Sequence, residues 1–226
     1  LTSFLNNMAT HRATRAYVNL SLFQSNLRLI KSIVDPQTKT MAVVKADAYG
    51  HGAIECSKAA VDAGANLLGV GVIGEGIELR KQGFKLPIVV LGGVFTEEIP
   101  DLLHYGLATT ISNSSIAQSL SKQAQKIGSP AYVHLKIDTG MSRMGVSMDN
   151  YLELLKETTS LPGLQLEGVC THFATADIED PEYTLRQLEL FESALDGFKK
   201  TGYPLPLVHC ANSSAILQYP QTWKDM

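Results

Sequence analysis

The chain contains 226 residues, of which 45% are apolar, and its formal net charge is −3 at pH 7. This length and apolar content suffice for a folded core and argue against intrinsic disorder. The small negative charge gives no electrostatic basis for binding nucleic acid or an anionic membrane surface, and no apolar run approaches the ~20 residues that span a bilayer.

Cysteine usage indicates the cellular compartment. Cys56, Cys170 and Cys210 are odd in number and lack the spacing of a metal site. Reduced thiols of this kind predict a cytoplasmic protein. Residues 1–15 are polar without an apolar core, so we predict no secretory signal there. Because the chain lacks an initiating Met and stops at Lys224–Met226 without a terminating element, we expect it to be part of a longer protein.

Short apolar runs alternate with longer amphipathic segments, which is the pattern of βα units around a parallel sheet. An opening helix is predicted near Leu20–Ser32. Strands are predicted near Thr40–Lys45, Asn66–Gly71, Pro87–Leu91, Ala108–Ile111, Ala131–Ile137, Gln165–Cys170 and Leu207–Cys210. Helices are predicted near Gly52–Ala63, Gly74–Gln82, Phe95–His104, Ser114–Ile127, Met148–Thr158 and Pro181–Thr201, with a last one after Asn212 and with Ser114 and Asp180 as N-caps.

The number of units decides between two α/β architectures. Doubly wound sheets usually need fewer than seven strands, whereas a TIM (β/α)8 barrel needs eight. No Pro- or Ser-rich linker interrupts the series. We therefore predict an incomplete TIM barrel of about seven βα units, whose eighth strand is absent. It forms a single domain over residues 1–226 that is truncated at its C-terminal edge.

The first strand delivers Lys45 into a polar turn within the segment Met41-Ala-Val-Val-Lys-Ala-Asp-Ala-Tyr-Gly-His-Gly52. A lysine at the end of an apolar strand is costly to dehydrate as a cation. It either reaches water or performs chemistry, and one such reaction is imine formation with an aldehyde cofactor. Gly50 and Gly52 allow the backbone to approach a bound group. These residues alone leave both interpretations open.

Other polar groups follow the later strands: Arg143 after the fifth, His172 after the sixth, and residues 209–213 after the seventh. Reactive groups in a TIM barrel cluster at the C-terminal ends of the strands. We therefore expect these groups and Lys45 to meet at one rim.

The fifth strand and the loop after it carry two further cations. Alternation along the strand places Lys136 in the barrel interior, where a lysine must be paired or neutralised. Arg143 lies in the loop Thr139–Gly145, between two glycines, and its guanidinium is suited to bind a carboxylate through two hydrogen bonds.

The Lys45 segment and the loop Asp138-Thr-Gly-Met-Ser-Arg-Met-Gly145 closely resemble those of alanine racemases, which are fold-type III pyridoxal-phosphate enzymes. The resemblance extends from Thr14 to Ser213. It implies that Lys45 holds pyridoxal 5'-phosphate as an imine. It also implies that Tyr49, Asn212 and Ser213 bind the phosphate of that cofactor.

The resemblance assigns further roles to three residues. Arg143 would contact the phenolic oxygen of the cofactor and the substrate carboxylate, and a carbamylated Lys136 would hold Arg143 in place. His172 would accept a hydrogen bond from an arginine of the eighth strand that faces the pyridine nitrogen. Ser142 is a departure, because many members of the family have glycine there.

The activity implied is racemisation of L-alanine to D-alanine, which supplies peptidoglycan synthesis. Lys45 acts as the base on one face of the substrate. A tyrosine from a separate C-terminal β-domain of the partner subunit acts on the other face, so we expect a homodimer. Neither that tyrosine nor that domain is in this sequence, and we expect the isolated chain to be inactive. Serine or another small amino acid is an alternative substrate.

Other functions have weaker support. Gly69-Val-Gly-Val-Ile-Gly74 matches a dinucleotide fingerprint, but no carboxylate follows at the end of the next strand. His134, His172 and His209 with Lys136 suggest a metal-dependent hydrolase, but the first strand lacks a His-x-His pair, so we predict no metal. A non-enzymatic pyridoxal-phosphate-binding barrel, a decarboxylase and an aldolase are the remaining alternatives.

Overall fold

The computed structural model describes residues 16–226, so residues 1–15, where we predict no secretory signal, and Thr14, where the resemblance begins, lie outside the described residues. The strands are β1 (Met41–Val43), β2 (Leu67–Val70), β3 (Ile88–Val90), β4 (Ala108–Ile111), β5 (Ala131–Asp138), β6 (Val146–Ser147), β7 (Leu164–Cys170) and β8 (Leu207–His209). The helices are α1 (Leu20–Ile33), α2 (Lys45–Gly50), α3 (Ala53–Asp62), α4 (Ile73–Lys81), α5 (Ile99–His104), α6 (Ser114–Ile127), α7 (Tyr151–Ser160), α8 (Glu182–Lys200) and α9 (Ser213–Gln218). Short 3-10 helices cover Thr96–Glu98 and Pro220–Thr222.

Seven strands form one parallel sheet in the order β1-β2-β3-β4-β5-β7-β8, and the short β6 pairs with β5 beside it. The two edge strands are connected at their N-terminal ends by the last residues of the chain. The Asp225 carbonyl accepts a hydrogen bond of 2.8 Å from the Lys39 N–H, and the Asp225 N–H donates one of 3.1 Å to the Val208 carbonyl. This curled sheet confirms the predicted incomplete TIM barrel.

The side chains of β5 separate two hydrophobic layers. Val133, Leu135 and Ile137 are at most 1% exposed and belong to the large core between the sheet and its helices. Tyr132 lies on the opposite face and packs in the barrel interior, in a smaller cluster with Met41, Leu67, Val89, Leu91, Ala108 and Met226. The alternation predicted for this strand is therefore correct, and it directs Lys136 inward.

Several boundaries differ from the prediction for local reasons. The helix predicted from Phe95 is divided into a 3-10 turn and α5. Asn113, rather than Ser114, caps α6, because its side chain accepts the Ile116 N–H at 3.0 Å. Pro181 occupies the N-cap position of α8 rather than Asp180, whose carboxylate accepts the Glu182 N–H at 3.0 Å from one residue earlier. None of the helices in residues 16–226 is long and apolar enough to cross a membrane.

Two glycines of α4 are expected to respond oppositely to substitution by alanine. A methyl group at Gly74 meets no atom within 4 Å, so Gly74→Ala should raise the free energy of unfolding by about 0.5 kcal/mol. A methyl group at Gly76 lies 2.9 Å from Cδ1 of the buried Leu107, so Gly76→Ala should lower it by about 1 kcal/mol. Urea unfolding of both variants measures the difference, and a stabilised Gly76→Ala would contradict this packing.

Candidate active site

The backbone around Lys45 differs from the predicted strand end. β1 stops at Val43, and the Val44 N–H still follows β2 by donating to the Gly69 carbonyl at 2.8 Å. Lys45 then opens α2, in which residues 46–49 have φ between 51° and 56°. These are four consecutive non-glycine residues in the left-handed region, where each costs roughly 1–2 kcal/mol. The prediction that Lys45 ends the strand is therefore wrong by two residues.

Hydrogen bonds at both ends hold this left-handed turn. The Ala48 N–H donates to the Val44 carbonyl at 2.9 Å, and the Ala53 N–H donates to the Asp47 carboxylate at 2.6 Å. At the start of the turn, the Ala46 N–H donates to Oε1 of Glu75 at 2.6 Å. Such strain persists only where the surrounding structure imposes it, and it is concentrated at functional sites.

The Lys45 side chain lies between the turn and the loop after β2. Its Nζ is 5.8 Å from the ring centroid of Tyr49, which is 60% exposed. On the other side, a methyl group on Gly71 would lie 3.4 Å from Cβ of Lys45. The absence of a side chain at Gly71 therefore lets this loop pack closely against the Lys45 stem.

The loop that carries Arg143 is organised by the carboxylate of Asp138. This carboxylate accepts the N–H groups of Gly140 at 2.9 Å and Ser142 at 3.0 Å. Ser142 has φ of 56°, which lies in the left-handed region that favours glycine. The resulting turn presents Arg143 at the protein surface, above the end of β5.

Four predicted site residues lie close enough together for their charges to shift the pKa of Lys136 and His172. Burial lowers the pKa of Lys136; Cys170 and Asp138 raise it, and the charges of Arg143 and Lys45 lower it further. Burial also lowers the pKa of His172 to about 4, again with contributions from the charges of Lys136, Arg143 and Lys45. His172 is therefore neutral near pH 7 and lies close to three cations.

These cations lack an acidic partner in the described part of the chain. The ion pairs formed within residues 16–226 are Lys58–Glu55, Lys199–Asp196 and Lys224–Glu192, none of which involves Lys45, Lys136 or Arg143. Concentrated positive charge of this kind favours binding of an anionic ligand.

The remaining predicted residues lie at the two edges of the sheet. Tyr49 follows β1, while Asn212 and Ser213 follow β8. Asn212 caps α9 by accepting the Ala215 N–H at 3.0 Å, and its amide donates to the Phe173 carbonyl at 3.4 Å. Asn212 is therefore the N-cap of α9.

Sequence reasoning missed a residue that joins the loops bearing Arg143 and His172. Gln187 of α8 is 1% exposed, and its Nε2 donates to Thr139 Oγ1 at 3.3 Å and to the His172 carbonyl at 3.1 Å. Its Oε1 accepts the Ala174 N–H at 2.9 Å. The available signal was its position four residues before Phe191, on the apolar face of an amphipathic helix.

The family model described as alanine racemase, N-terminal domain, matches residues 18–226, which is most of the chain. The chain belongs to this family. It is 42% identical over 214 residues to the alanine racemase of Desulforamulus reducens, covering 93% of this chain and 57% of that protein. It is 40% identical to the Halothermothrix orenii alanine racemase, covering 97% of this chain and 58% of that protein.

Structural comparison agrees with the alanine racemase fold. The alanine racemase of Clostridium difficile 630 superposes with a TM-score of 0.90 at 36% identity, covering 92% of this chain and 55% of that one. The chain thus spans somewhat more than half the length of the alanine racemases that it matches.

The described histidines are not arranged as a metal-dependent hydrolase requires. His134 Nδ1 and His209 Nε2 lie 2.8 Å apart and share a hydrogen bond inside the barrel. Burial lowers the pKa of both rings, to about 4 for His134, which keeps them neutral. Residues 16–226 contain no grouping of three His, Cys, Asp or Glu side chains suited to a metal ion.

Two of the three glycines of the dinucleotide fingerprint, Gly69 and Gly71, have packing roles, whereas a methyl group at Gly74 would meet no atom within 4 Å. A methyl group on Gly69 would lie 2.8 Å from Sδ of Met41 inside the barrel, and Gly71 lies against Lys45 and Glu75. Close packing around the first strand therefore accounts for Gly69 and Gly71 without a dinucleotide.

Proposed function

We propose that this chain is the cofactor-binding barrel of a pyridoxal-phosphate-dependent alanine racemase. The observation that carries the proposal is the convergence of Lys45, Lys136, Arg143 and His172 at the C-terminal ends of the strands. The names of the relatives support alanine as the substrate, a small-molecule amino acid.

The residues at this rim suit pyridoxal 5'-phosphate. Neither Lys45 nor Arg143 forms an ion pair among the described residues, which leaves the amine of Lys45 available to an aldehyde and the Arg143 guanidinium available to a phenolate and a substrate carboxylate. When bound, this cofactor supplies an aldehyde that captures amines and a ring that withdraws electrons from the α-carbon. Lys45 is the proposed point of attachment, and once released it moves a proton at the α-carbon on one face.

The proposed phosphate contacts come from both edges of the sheet. Tyr49 offers a phenol that is accessible to solvent, next to the left-handed turn. Asn212 and Ser213 stand at the start of α9, where N–H groups and the Ser213 hydroxyl are suited to an anion. These contacts would orient the cofactor aldehyde towards Nζ of Lys45.

Arg143 is proposed to bind the substrate carboxylate and the cofactor phenolic oxygen. We also propose that Lys136 is carbamylated, which its lowered pKa supports, because only a neutral amine reacts with carbon dioxide. In that reaction Nζ forms a bond to the carbon and releases a proton. The resulting negative charge would pair with Arg143 and replace a buried cation with an anion at the centre of the site.

His172 is proposed to accept a hydrogen bond from an arginine outside these residues. Its pKa of about 4 supports this role, since a neutral imidazole keeps one nitrogen lone pair available near pH 7. A histidinium would instead repel the guanidinium.

Inversion at the α-carbon requires a second base on the opposite face of the substrate. The relatives extend beyond the matched region, which supports a further part of the protein outside it. We propose that the second base is a tyrosine from a C-terminal β-domain of a partner subunit in a homodimer. We therefore propose that residues 1–226 form one N-terminal pyridoxal-phosphate-binding domain, which alone does not racemise alanine efficiently. A cytoplasmic location and a role in supplying D-alanine for peptidoglycan complete the proposal, and the three free, buried cysteines support that location.

The attachment of the cofactor can be tested directly. The full-length protein is reconstituted with pyridoxal 5'-phosphate, reduced with borohydride, digested and analysed by mass spectrometry. We expect a visible absorbance band that disappears on reduction, and added mass on Lys45 but not on the exposed Lys58. A colourless protein, or label spread over surface lysines, would refute the proposal.

A further inference from the structure

We infer that Glu75 is a positioning residue for the amine of Lys45. The inference rests on the proposed role of Lys45 as the attachment point of the cofactor. Glu75 touches neither the amine nor the space in front of it. It acts on the backbone that follows Lys45 and on the loop that packs against the Lys45 stem.

The carboxylate of Glu75 connects two βα units. Its Oε1 accepts the Ala46 N–H at 2.6 Å, directly after Lys45. Its Oε2 accepts the N–H groups of Gly71 at 2.7 Å and Val72 at 3.3 Å, in the loop after β2. An ionised carboxylate forms such bonds about twice as strongly as a neutral acceptor does.

Capping of its own helix explains two of these three contacts. Glu75 is the third residue of α4, and bonds from Oε2 to the preceding N–H groups complete a helix N-terminus. The bond from Oε1 contributes nothing to that cap. It reaches 29 residues back along the chain, to Ala46. The second oxygen therefore has a separate purpose, which is to hold the segment bearing Lys45.

Backbone strain explains why Ala46 needs such a bond. Ala46 is the first of the four left-handed residues, and it has φ of 51° and ψ of 53°. Without a strong acceptor, this segment would relax towards a right-handed conformation and redirect the Lys45 side chain. A bond at Ala46 acts at the point where the chain changes hand.

Packing around Gly71 provides an independent observation. A methyl group at Gly71 would lie 3.3 Å from Oε2 of Glu75 and 3.4 Å from Cβ of Lys45. The carboxylate and the lysine stem thus both lie beside the same glycine. Movement of the carboxylate removes the support on this side of the lysine.

The test compares Glu75→Gln with Glu78→Gln in the full-length protein. Both changes remove one negative charge from α4, but Glu78 is exposed, one turn further along the helix. In protein stripped of cofactor, Glu75→Gln should speed hydrogen exchange at the Ala46 and Gly71 amides by about tenfold. In reconstituted protein it should lower kcat by about tenfold, with KM for alanine changed by less than about twofold. Glu78→Gln should change none of these.

The outcomes separate this inference from the proposed function. If the wild-type protein takes up no cofactor at Lys45, the proposed function is wrong. If wild-type protein is active and Glu75→Gln keeps its kcat, the inference is wrong, whether or not amide exchange has changed. Faster exchange together with a selective loss of kcat would support it.

A second variant covers the case in which Glu75→Gln fails to fold. Gly71→Ala keeps the carboxylate but adds a methyl group against both Glu75 and Lys45. It should fold and lower kcat by a similar factor, with Ala46 exchange increased. If Gly71→Ala instead matches the wild type in kcat and in exchange, Glu75 serves stability alone and the inference is overturned.

Discussion

Replacing Lys45 with arginine is expected to abolish alanine racemisation by the full-length protein, with a loss of about 10⁴-fold or more in kcat. Arginine preserves the positive charge, so the electrostatics that lower the pKa of Lys136 and His172 are retained. A guanidinium stays protonated and supplies no free amine. The expected loss therefore reports the chemistry of the amine rather than its charge.

Two measurements accompany this variant. Racemisation is followed by the appearance of D-alanine, and cofactor attachment by visible absorbance before and after borohydride. Lys58→Arg is the matched control, because Lys58 lies on the neighbouring α3 and pairs with Glu55 at 2.9 Å. It should behave as the wild type. If Lys45→Arg retained more than about a hundredth of wild-type turnover, Lys45 could not be the essential amine.

Acid is expected to destabilise this barrel, and His134 should contribute about 3 kcal/mol to that loss between pH 6.5 and about 4. His134 is 1% exposed, shares a hydrogen bond with His209 and is neutral in the folded state. Above pH 6.5 the ring is neutral in both the folded and the unfolded chain, so no dependence on pH arises there. Below 6.5 the unfolded chain binds a proton that the folded chain excludes, and stability falls as pH falls.

Urea unfolding of cofactor-free protein at pH values of about 7.5, 6 and 5 measures this dependence above the range where most carboxylates titrate. His134→Gln keeps a polar partner for His209 but does not titrate. Its free energy of unfolding should therefore depend less steeply on pH, by the uptake of up to one proton on unfolding. His104→Gln, at an exposed position, should leave the slope unchanged. If the free energy of unfolding of His134→Gln depends on pH as steeply as that of the wild type, protonation of His134 does not destabilise the folded protein.

The same histidine pair depends on a residue that offers no signal in the sequence. A methyl group at Gly168 of β7 would clash with Nδ1 of His134. The absence of a side chain at Gly168 therefore leaves space for the imidazole rings of His134 and His209 to form their hydrogen bond. Periodicity places His134 inside the barrel, but it does not reveal that a neighbouring strand must lack a side chain there.

Local patterns were sufficient for much of the barrel. Buried strands such as β3 and β4 are continuous apolar or β-branched runs, and α6 and α8 are long amphipathic helices with polar starts, so both kinds of element were predicted close to their observed bounds. The chemistry at the rim was equally local. Lys45 and Arg143 occur in short segments whose glycines, acids and cations stand in fixed order. Those residues alone left the role of Lys45 open, and the resemblance of the two segments to those of alanine racemases implied the cofactor.

Only the tertiary structure could reveal contacts between residues far apart in the chain. The left-handed turn after Lys45 contradicts the local preference of Ala46 and Ala48, and Glu75, from another βα unit, accepts a hydrogen bond from its first N–H group. Gln187 of α8 likewise joins the loops after β5 and β7, a role that the amphipathic pattern of this helix did not indicate. Propensity and periodicity describe neighbours along the chain. The groups that hold a strained backbone or position an amine come from distant parts of the chain, and they meet only when the sheet curls.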